Sequence, residues 1–457
     1  MTVRTCDREL GQLYDDVESG LNVGYWFDPG DGRTFQRFND HPLNYRDAMR
    51  HPVHSWVEYK EGFSPGLVGR VLAEVGATTE TVVLDPFCGG GTTPVTCFYR
   101  GVPSVGVEAN PFSHFLAKVK TRRYRPDDLR DARKLLPEVV NGPPAGPPST
   151  EFSMIDRLFP SKVLGALLGV RERVDNLGEE GKKVRDLFFL AWLALLEPLS
   201  NYRKAGNGLK RRVPRQLRRL EKLEARDVNA AFARKVGEIL SDLESYCIPR
   251  GRRFPDVPEP AVLCDTCLNL ERILPPESVG ATVFSPPYLN CFDYAEIYKV
   301  ELWLGGFVNS YAELGNLREK SMISHVNNKR ASSPPRSRAV GTLVDLLVEH
   351  FDGERLWNQK IPDVVRGYFG DFEALVSRLA DVHLDGSLLA VVVSNSSYGG
   401  VVVPTDALVA RIAESYGFSV VGIEAVRPIV TSSQQFSVLR DRGLTRFMRE
   451  SVVWARK

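Results

Sequence analysis

The sequence predicts an α/β protein: a mostly parallel sheet with helices on both faces, carrying a mostly helical insertion. Three observations carry this. Apolar strand-like runs alternate with helical patterns from Thr81 to Pro111, and again from Ala261 onward. A Gly-rich turn, Gly89-Gly90-Gly91, joins one such strand to a helix. Between Pro111 and Pro260 the alternation stops and helical patterns take over.

In chain order, residues 1 to 40 are turn-rich (GYWFDPGDGRTF) and read as a lead-in. Ser64 to Gly76 has a helix-start residue, a proline in the first turn, and Leu67, Val68, Val71, Leu72 and Val75 at helical spacing. A strand over Val82 to Leu84, the Gly-rich turn, a helix from about Thr93 to Arg100 and a strand over Ser104 to Val107 follow. LLPEVVNGPPAGPPST is a break. VRDLFFLAWLALLEPL and the basic RQLRRLEKLEARDVNAAFARKVGEILSDLESY are helical. AVLCDTCLNL and ATVFSPPYLN resume the strands, a Ser-, Pro- and Arg-rich loop near 327–339, expected to be mobile, interrupts them, and GSLLAVVVSNSS, GFSVVGIEAV and ESVVWARK complete them. The expected organisation is a lead-in and cofactor-binding half over 1–120, a helical insertion over 121–260 as the target-recognition region, and a catalytic half over 261–457.

At 457 residues the chain exceeds what one core usually organises, which suits a catalytic domain with large insertions. The 43% hydrophobic and 25% charged fractions are those of a globular protein, and no apolar run approaches the roughly 18 residues of a membrane helix. MTVRTCDRELGQLYDD mixes both charge signs and has no apolar core of a secretion signal, so a cytoplasmic protein without a membrane partner is expected. The 7 cysteines are odd in number and scattered, so reduced thiols are expected. Cys264 and Cys267 form a C-x-x-C with no second pair of ligands at metal spacing, so no metal site is expected. The net charge is only +2, yet Asn201 to Arg253 holds fifteen Lys/Arg against six Asp/Glu. That asymmetry is the footprint of a polyanion-binding surface; a solvated basic helix face is the alternative.

Asp85 ends the first strand of the alternating region, where a carboxylate suits a cation such as an ammonium and would repel a phosphate. Glu108 ends the next strand, about twenty residues after the turn, where an acid accepts hydrogen bonds from two ribose hydroxyls. Together they define an adenosine-type ligand, and the Lys-Ser/Thr of a phosphate-binding loop is missing. DPFCGGGT followed by GVEANP is similar to the cofactor motifs of S-adenosylmethionine-dependent amino methyltransferases that modify DNA. Those families usually carry Ser or Thr where Gly90 stands. The resemblance implies a Rossmann-like sheet and S-adenosyl-L-methionine as cofactor, held by Asp85, Pro86, Phe87, Cys88, Gly89, Gly91, Thr92 and Glu108. It also implies that Phe87 packs over the cofactor and that Asp265 reaches toward the adenine; a strand-end turn acid is the other reading of Asp265. HSWVEYKEGFSP resembles the flanking motif of these enzymes, which would bring Phe63, Ser64 and Pro65 near the methionine end. Core packing by the aromatic explains the same pattern.

Ser285-Pro286-Pro287-Tyr288 follows the apolar run ATVF and reads as a rigid loop at the carboxyl end of a buried strand, the edge where open α/β sheets bind ligands. An exocyclic amine is a poor nucleophile until acceptors engage its two N–H groups. The Ser285 hydroxyl and the Pro286 carbonyl supply such acceptors, and the Tyr288 ring stacks on the base. The base must leave the duplex to reach them, and Phe292, Tyr294 and Tyr298 are candidates to line the pocket. In this family a leading Ser is commoner among cytosine-N4 enzymes, and Asn or Asp among adenine-N6 enzymes. The reading is therefore a cytosine-N4 DNA methyltransferase acting on double-stranded DNA. It belongs to a restriction-modification or phage-defence system whose cleavage is done by a separate endonuclease or defence subunit. An adenine-N6 enzyme and an RNA amino methyltransferase are the alternatives. No Cys follows a proline, as a C5-cytosine enzyme would need. Arg211, Arg212, Arg215, Arg218 and Arg219 are the candidate DNA contacts, with Lys329, Arg330, Arg336 and Arg338 of the second loop as further ones.

Overall fold

The computed structural model describes residues 3–26, 43, 45–146, 150–178, 181–206, 208–247, 257–429 and 433–457. Part of the turn-rich lead-in (27–42), part of the Pro/Gly break (147–149) and the end of the basic stretch (248–256) lie outside the described residues.

The strands in chain order are β1 Val23–Tyr25, β2 Val83–Asp85, β3 Ser104–Val107, β4 Tyr202–Ala205, β5 Gly208–Arg211, β6 Ala261–Leu263, β7 Val279–Phe284, β8 His383–Ser394, β9 Ser396–Tyr398, β10 Val401–Val403, β11 Ser419–Pro428 and β12 Arg449–Arg456. One eight-stranded sheet has the order β1-β11-β12-β8-β7-β2-β3-β6, and β4-β5 and β9-β10 form two separate hairpins. Within the sheet only β12 runs antiparallel to its neighbours, β8 and β11. β2 and most of β7 and β8 are buried runs, because helices cover both of their faces. On one face lies the helix Pro65–Glu74, whose Leu67, Val68 and Val71 pack with Val83, Ala281 and Val452. On the other, helix Ile361–Val382 brings Phe369, Phe372 and Leu379 against Phe284 and Val391.

The chain moves outward from β2 through β3 to β6, then returns to the other side of β2 with β7 and β8. That reversal opens a crevice at the carboxyl ends of β2 and β7, where open α/β sheets place ligands.

Three expectations need correction. The lead-in is more than turns: Val3–Glu18 is a helix whose Leu10, Leu13, Tyr14 and Val17 are buried, and Tyr14 donates to the Val402 carbonyl. The mostly helical insertion also holds the β4-β5 hairpin, ahead of the basic helices Pro214–Glu221 and Ala225–Asp242, because YRKA and GLKR are too short and too polar to register as strands. The 327–339 loop is pinned to helix Ile361–Val382: Arg330 pairs with Asp371, and the Ser337 amide donates to Glu373 at 2.7 Å.

The helices Pro126–Val140, Ser161–Asp175, Lys182–Leu199 and Ala225–Asp242 form a helical body around Phe188, Trp192 and Phe232. Tyr298, Trp303 and Leu314, which follow β7, belong to the same apolar cluster.

Candidate active site

The turn after β2 is built by its glycines. Gly89 and Gly91 have φ of 50° and 93°, in the left-handed region that side chains resist. A Cβ at Gly91 would lie 2.9 Å from Ala117 Cα, so this glycine lets the following helix, Thr92–Arg100, approach helix Pro111–Lys120. A Cβ at Gly89 or Gly90 would meet the Tyr59 ring at 2.9 and 3.0 Å. Tyr59 is thus clamped between the turn and Tyr298, whose ring it stacks on at 5.2 Å.

Two carboxylates flank the turn. Asp85 is fully buried: Oδ1 accepts from the Phe87 amide at 3.0 Å, while Oδ2, with the Thr93 hydroxyl beside it, has no close hydrogen-bond partner among the described residues. Burial pushes its carboxyl up to about 7, and Glu108 adds to the rise. Glu108 ends β3, accepts from the Gly89 and Asn110 amides at 2.9 and 2.7 Å, and is likewise raised by burial to about 7. An unpaired buried oxygen marks a site that needs a donor.

Beside this turn lies a cavity of about 940 Å³. Phe63, Pro86, Phe87, Cys88, Gly89, Thr92 and Glu108 line it, with Ser285 and Pro287 from the loop after β7. Three expected cofactor residues are placed otherwise. Ser64 is buried as the N-cap of helix Pro65–Glu74, accepting from Gly66 N at 2.9 Å and donating to Asp47. Gly91 faces Ala117. Asp265 Oδ1 is taken by the Thr266 amide and Asn269 Nδ2 at 2.7 and 2.9 Å, so Thr266 and Cys267 form that stretch of the wall. Asp85 sits beneath the turn and braces it.

A second cavity, about 1020 Å³, adjoins the first. Ser285, Tyr288, Phe292 and Tyr294 line it, with Phe292 and Tyr294 in an edge-on contact at 5.0 Å. The Tyr288 hydroxyl donates to Glu450 at 2.8 Å, and Glu450 is paired with Arg427 through Nε at 2.5 Å. Pro286, within the same loop, is buried and is not part of either lining. Tyr298 lies behind the pocket wall, with its hydroxyl on Glu61. Only Glu61, Gly62, Phe63, Ser285 and Tyr294 border both cavities among the described residues.

Several of these residues carry no signal of their own. Lys204 lies in the second cavity's wall and pairs with Glu301 and Glu197, yet it is some eighty residues from any motif. Arg427 and Glu450 are ordinary strand residues until β11 and β12 align them beneath Tyr288. Glu61 stands inside HSWVEYKEGFSP, where only the residues after it drew notice.

On the helical body, Arg211, Arg215, Arg218 and Arg219 are exposed. Arg212 is not available: its Nε and Nη2 donate to the Ser200 and Glu197 carbonyls at 2.8 and 2.9 Å, closing the end of helix Lys182–Leu199. Arg203 and Lys210 face each other across the β4-β5 ladder, both exposed. Directly opposed like charges destabilise a hairpin unless an anion joins them. Among the described residues no helix is long and apolar enough to cross a membrane, and no group of three or more His, Cys, Asp or Glu side chains is placed to hold a metal ion.

No family model matches the chain. It is 25% identical over 440 residues to Type II methyltransferase M.BsoBI of Geobacillus stearothermophilus, covering 88% of this chain and 85% of that one. It is 25% identical over 413 residues to Type II methyltransferase M.AvaI of Nostoc sp. strain PCC 7120, covering 83% and 81%. A 99-residue stretch is 33% identical to Type II methyltransferase M.MjaII of Methanocaldococcus jannaschii, covering 22% and 18%. The sheet, its helices on both faces and this similarity along most of the chain together make the fold an α/β, Rossmann-like methyltransferase fold, the fold of proteins whose methyl donor is S-adenosylmethionine.

Proposed function

We propose that this chain is a DNA methyltransferase of a restriction-modification system that transfers a methyl group from S-adenosylmethionine to the N4 amine of a flipped-out cytosine. The observation that carries the reading is Ser285, which stands in the wall common to the two cavities. One cavity has the cofactor chemistry: Glu108 for ribose hydroxyls and Phe87 for an apolar ring contact, with the buried Asp85 carboxylate beneath the turn, outside the lining. The other has the chemistry of a base pocket, with Tyr288, Phe292 and Tyr294.

When bound, S-adenosylmethionine supplies an electrophilic methyl on a sulfonium whose charge is lost on transfer. The chain's part is to hold the amine at the partition. Ser285 Oγ accepts one N–H, and the Pro286 carbonyl accepts the other. Tyr288, held by Glu450, gives the base a ring to stack on. Proximity and orientation then supply most of the rate. The exposed arginines of the helical body, with Arg203 and Lys210, contact phosphates.

The test is incubation with tritiated S-adenosylmethionine and unmethylated bacterial DNA, followed by nucleoside analysis. Labelled N4-methyldeoxycytidine is the expected product. Labelled N6-methyldeoxyadenosine would retain the fold and mechanism and reverse the base assignment. Label on RNA alone, or none, would overturn the reading.

A further inference from the structure

Of the five residues that border both cavities, Glu61 alone carries a carboxylate. One oxygen, Oε2, is fixed by the Tyr298 hydroxyl. Tyr298 is itself held between the rings of Tyr59 and Phe112, each at 5.2 Å. The charged and titratable groups that face Glu61 come from several elements. Lys60 neighbours it in the chain, Lys204 reaches in from β4, and Tyr59, Tyr294 and Tyr298 surround it. Lys204 is spoken for by Glu301 and Glu197, and Lys60 by Glu197. Glu61's own backbone amide also bonds the carboxylate, and the lone pairs left over keep an acceptor at the partition where Ser285 stands.

We propose that Glu61 is a further catalytic residue: its carboxylate shares with the Pro286 carbonyl the amine N–H that Ser285 leaves, and takes the proton that the amine sheds on methylation. This rests on the DNA-amine reading above. In the step, the N–C bond forms as the donor's S–C bond breaks, and one amine N–H bond breaks as an O–H bond forms on Glu61. The proton then passes to water through the second cavity. Burial raises the Glu61 carboxyl, against the lowering by the Tyr298 hydrogen bond, Lys204 and Lys60, which suits a proton acceptor.

The test uses the full-length protein and a synthetic duplex bearing the site that labelling and sequencing identify. The first readout needs no cofactor: affinity for that duplex against one whose target base lacks the amine (2-pyrimidinone in place of cytosine). Wild type should prefer the amine-bearing duplex, and Glu61→Gln should lose about ten-fold of that preference, as for a hydrogen bond to a charged group. The second readout is the single-turnover rate with pH. Glu61→Gln should lower it on the order of 10²-fold and remove the acid limb, since wild type loses activity as pH falls and Glu61 is protonated. Glu61→Asp keeps the charge and retracts it; it should keep the acid limb at a lower rate, and it carries the test if the Gln variant does not fold. An unchanged amine preference with an unchanged limb in Glu61→Gln, or a wild-type rate in Glu61→Asp, overturns the proposal. So does a loss confined to S-adenosylhomocysteine affinity, which would make Glu61 a cofactor ligand. If wild type itself labels no DNA, the reading of function has failed instead.

Discussion

Replacing Asp85 with asparagine should stabilise the ligand-free protein at neutral and alkaline pH while weakening its hold on the cofactor. The carboxyl is fully buried with Oδ2 unpaired, and its pKa rises from 3.8 to about 7. A carboxyl raised on folding contributes its stability below the unfolded value and loses it as pH climbs through the folded value. Holding the charged form above pH 7 thus costs about 4 kcal/mol, taken at 1.36 kcal/mol per pH unit. Asparagine keeps the Oδ1 acceptor for the Phe87 amide, and the neighbouring buried Thr93 hydroxyl is a ready acceptor for its new N–H. Denaturant unfolding of both proteins from pH 4 to pH 9 without cofactor gives the difference directly. The variant should gain on wild type as pH rises from 4 to 8, by up to about 4 kcal/mol. Calorimetry with S-adenosylhomocysteine should show at least about a ten-fold loss of affinity, the scale of one hydrogen bond to a charged group. Parallel stability curves across that range, or unchanged affinity, would refute the argument that Asp85 is held as an unpaired buried acid for a ligand.

Glu450→Gln removes the charge that Tyr288 and Arg427 share; cofactor affinity should hold while single-turnover methylation falls about ten- to a hundred-fold, read by rapid quench. Arg212→Ala should lower stability by about 1–3 kcal/mol in chemical denaturation, with DNA affinity unchanged, since its guanidinium closes a helix end. Arg203→Ala with Lys210→Ala should leave stability equal or higher and reduce the slope of log affinity against log salt by about 2 in DNA-binding titrations. An unchanged slope would remove the hairpin from the DNA surface.

The sheet was legible because its local signals and its tertiary outcome agree. Val83 to Asp85, the glycine turn and Ser104 to Val107 fold where their patterns place them, and Ser64 caps the helix that its sequence announces. The lead-in helix was missed because GYWFDPGDGRTF, just after it, drew the whole segment toward turns. Its apolar face, Leu10, Leu13, Tyr14 and Val17, is ordinary helical spacing. The motif residues Phe87, Glu108, Ser285 and Tyr288 come together as their spacing at strand ends implies. Ser64, Gly91 and Asp265 were expected in the ligand's wall and are placed instead to cap, pack or turn. Side chains of those types serve both purposes, and the difference is made by where neighbouring elements lie. The Glu61–Tyr298 and Tyr288–Glu450–Arg427 contacts span 237, 162 and 23 residues of chain, a range at which no local pattern speaks.

The apolar cluster that joins the helical body to the segment after β7 sets a rule for engineering. Phe152 stacks on Trp303 at 5.2 Å, Phe189 stacks on Phe307 at 5.8 Å, and Lys204 reaches across to Glu301. A chimera that grafts a related protein's helical body onto this sheet would cut through that seam if it exchanged only the contiguous insertion. The transplantable piece is discontinuous: the helices between Pro126 and Asp242 travel with Tyr294 to Leu317, and the four joints belong at Thr121, after Asp242, before Tyr294 and in the loop after Lys320.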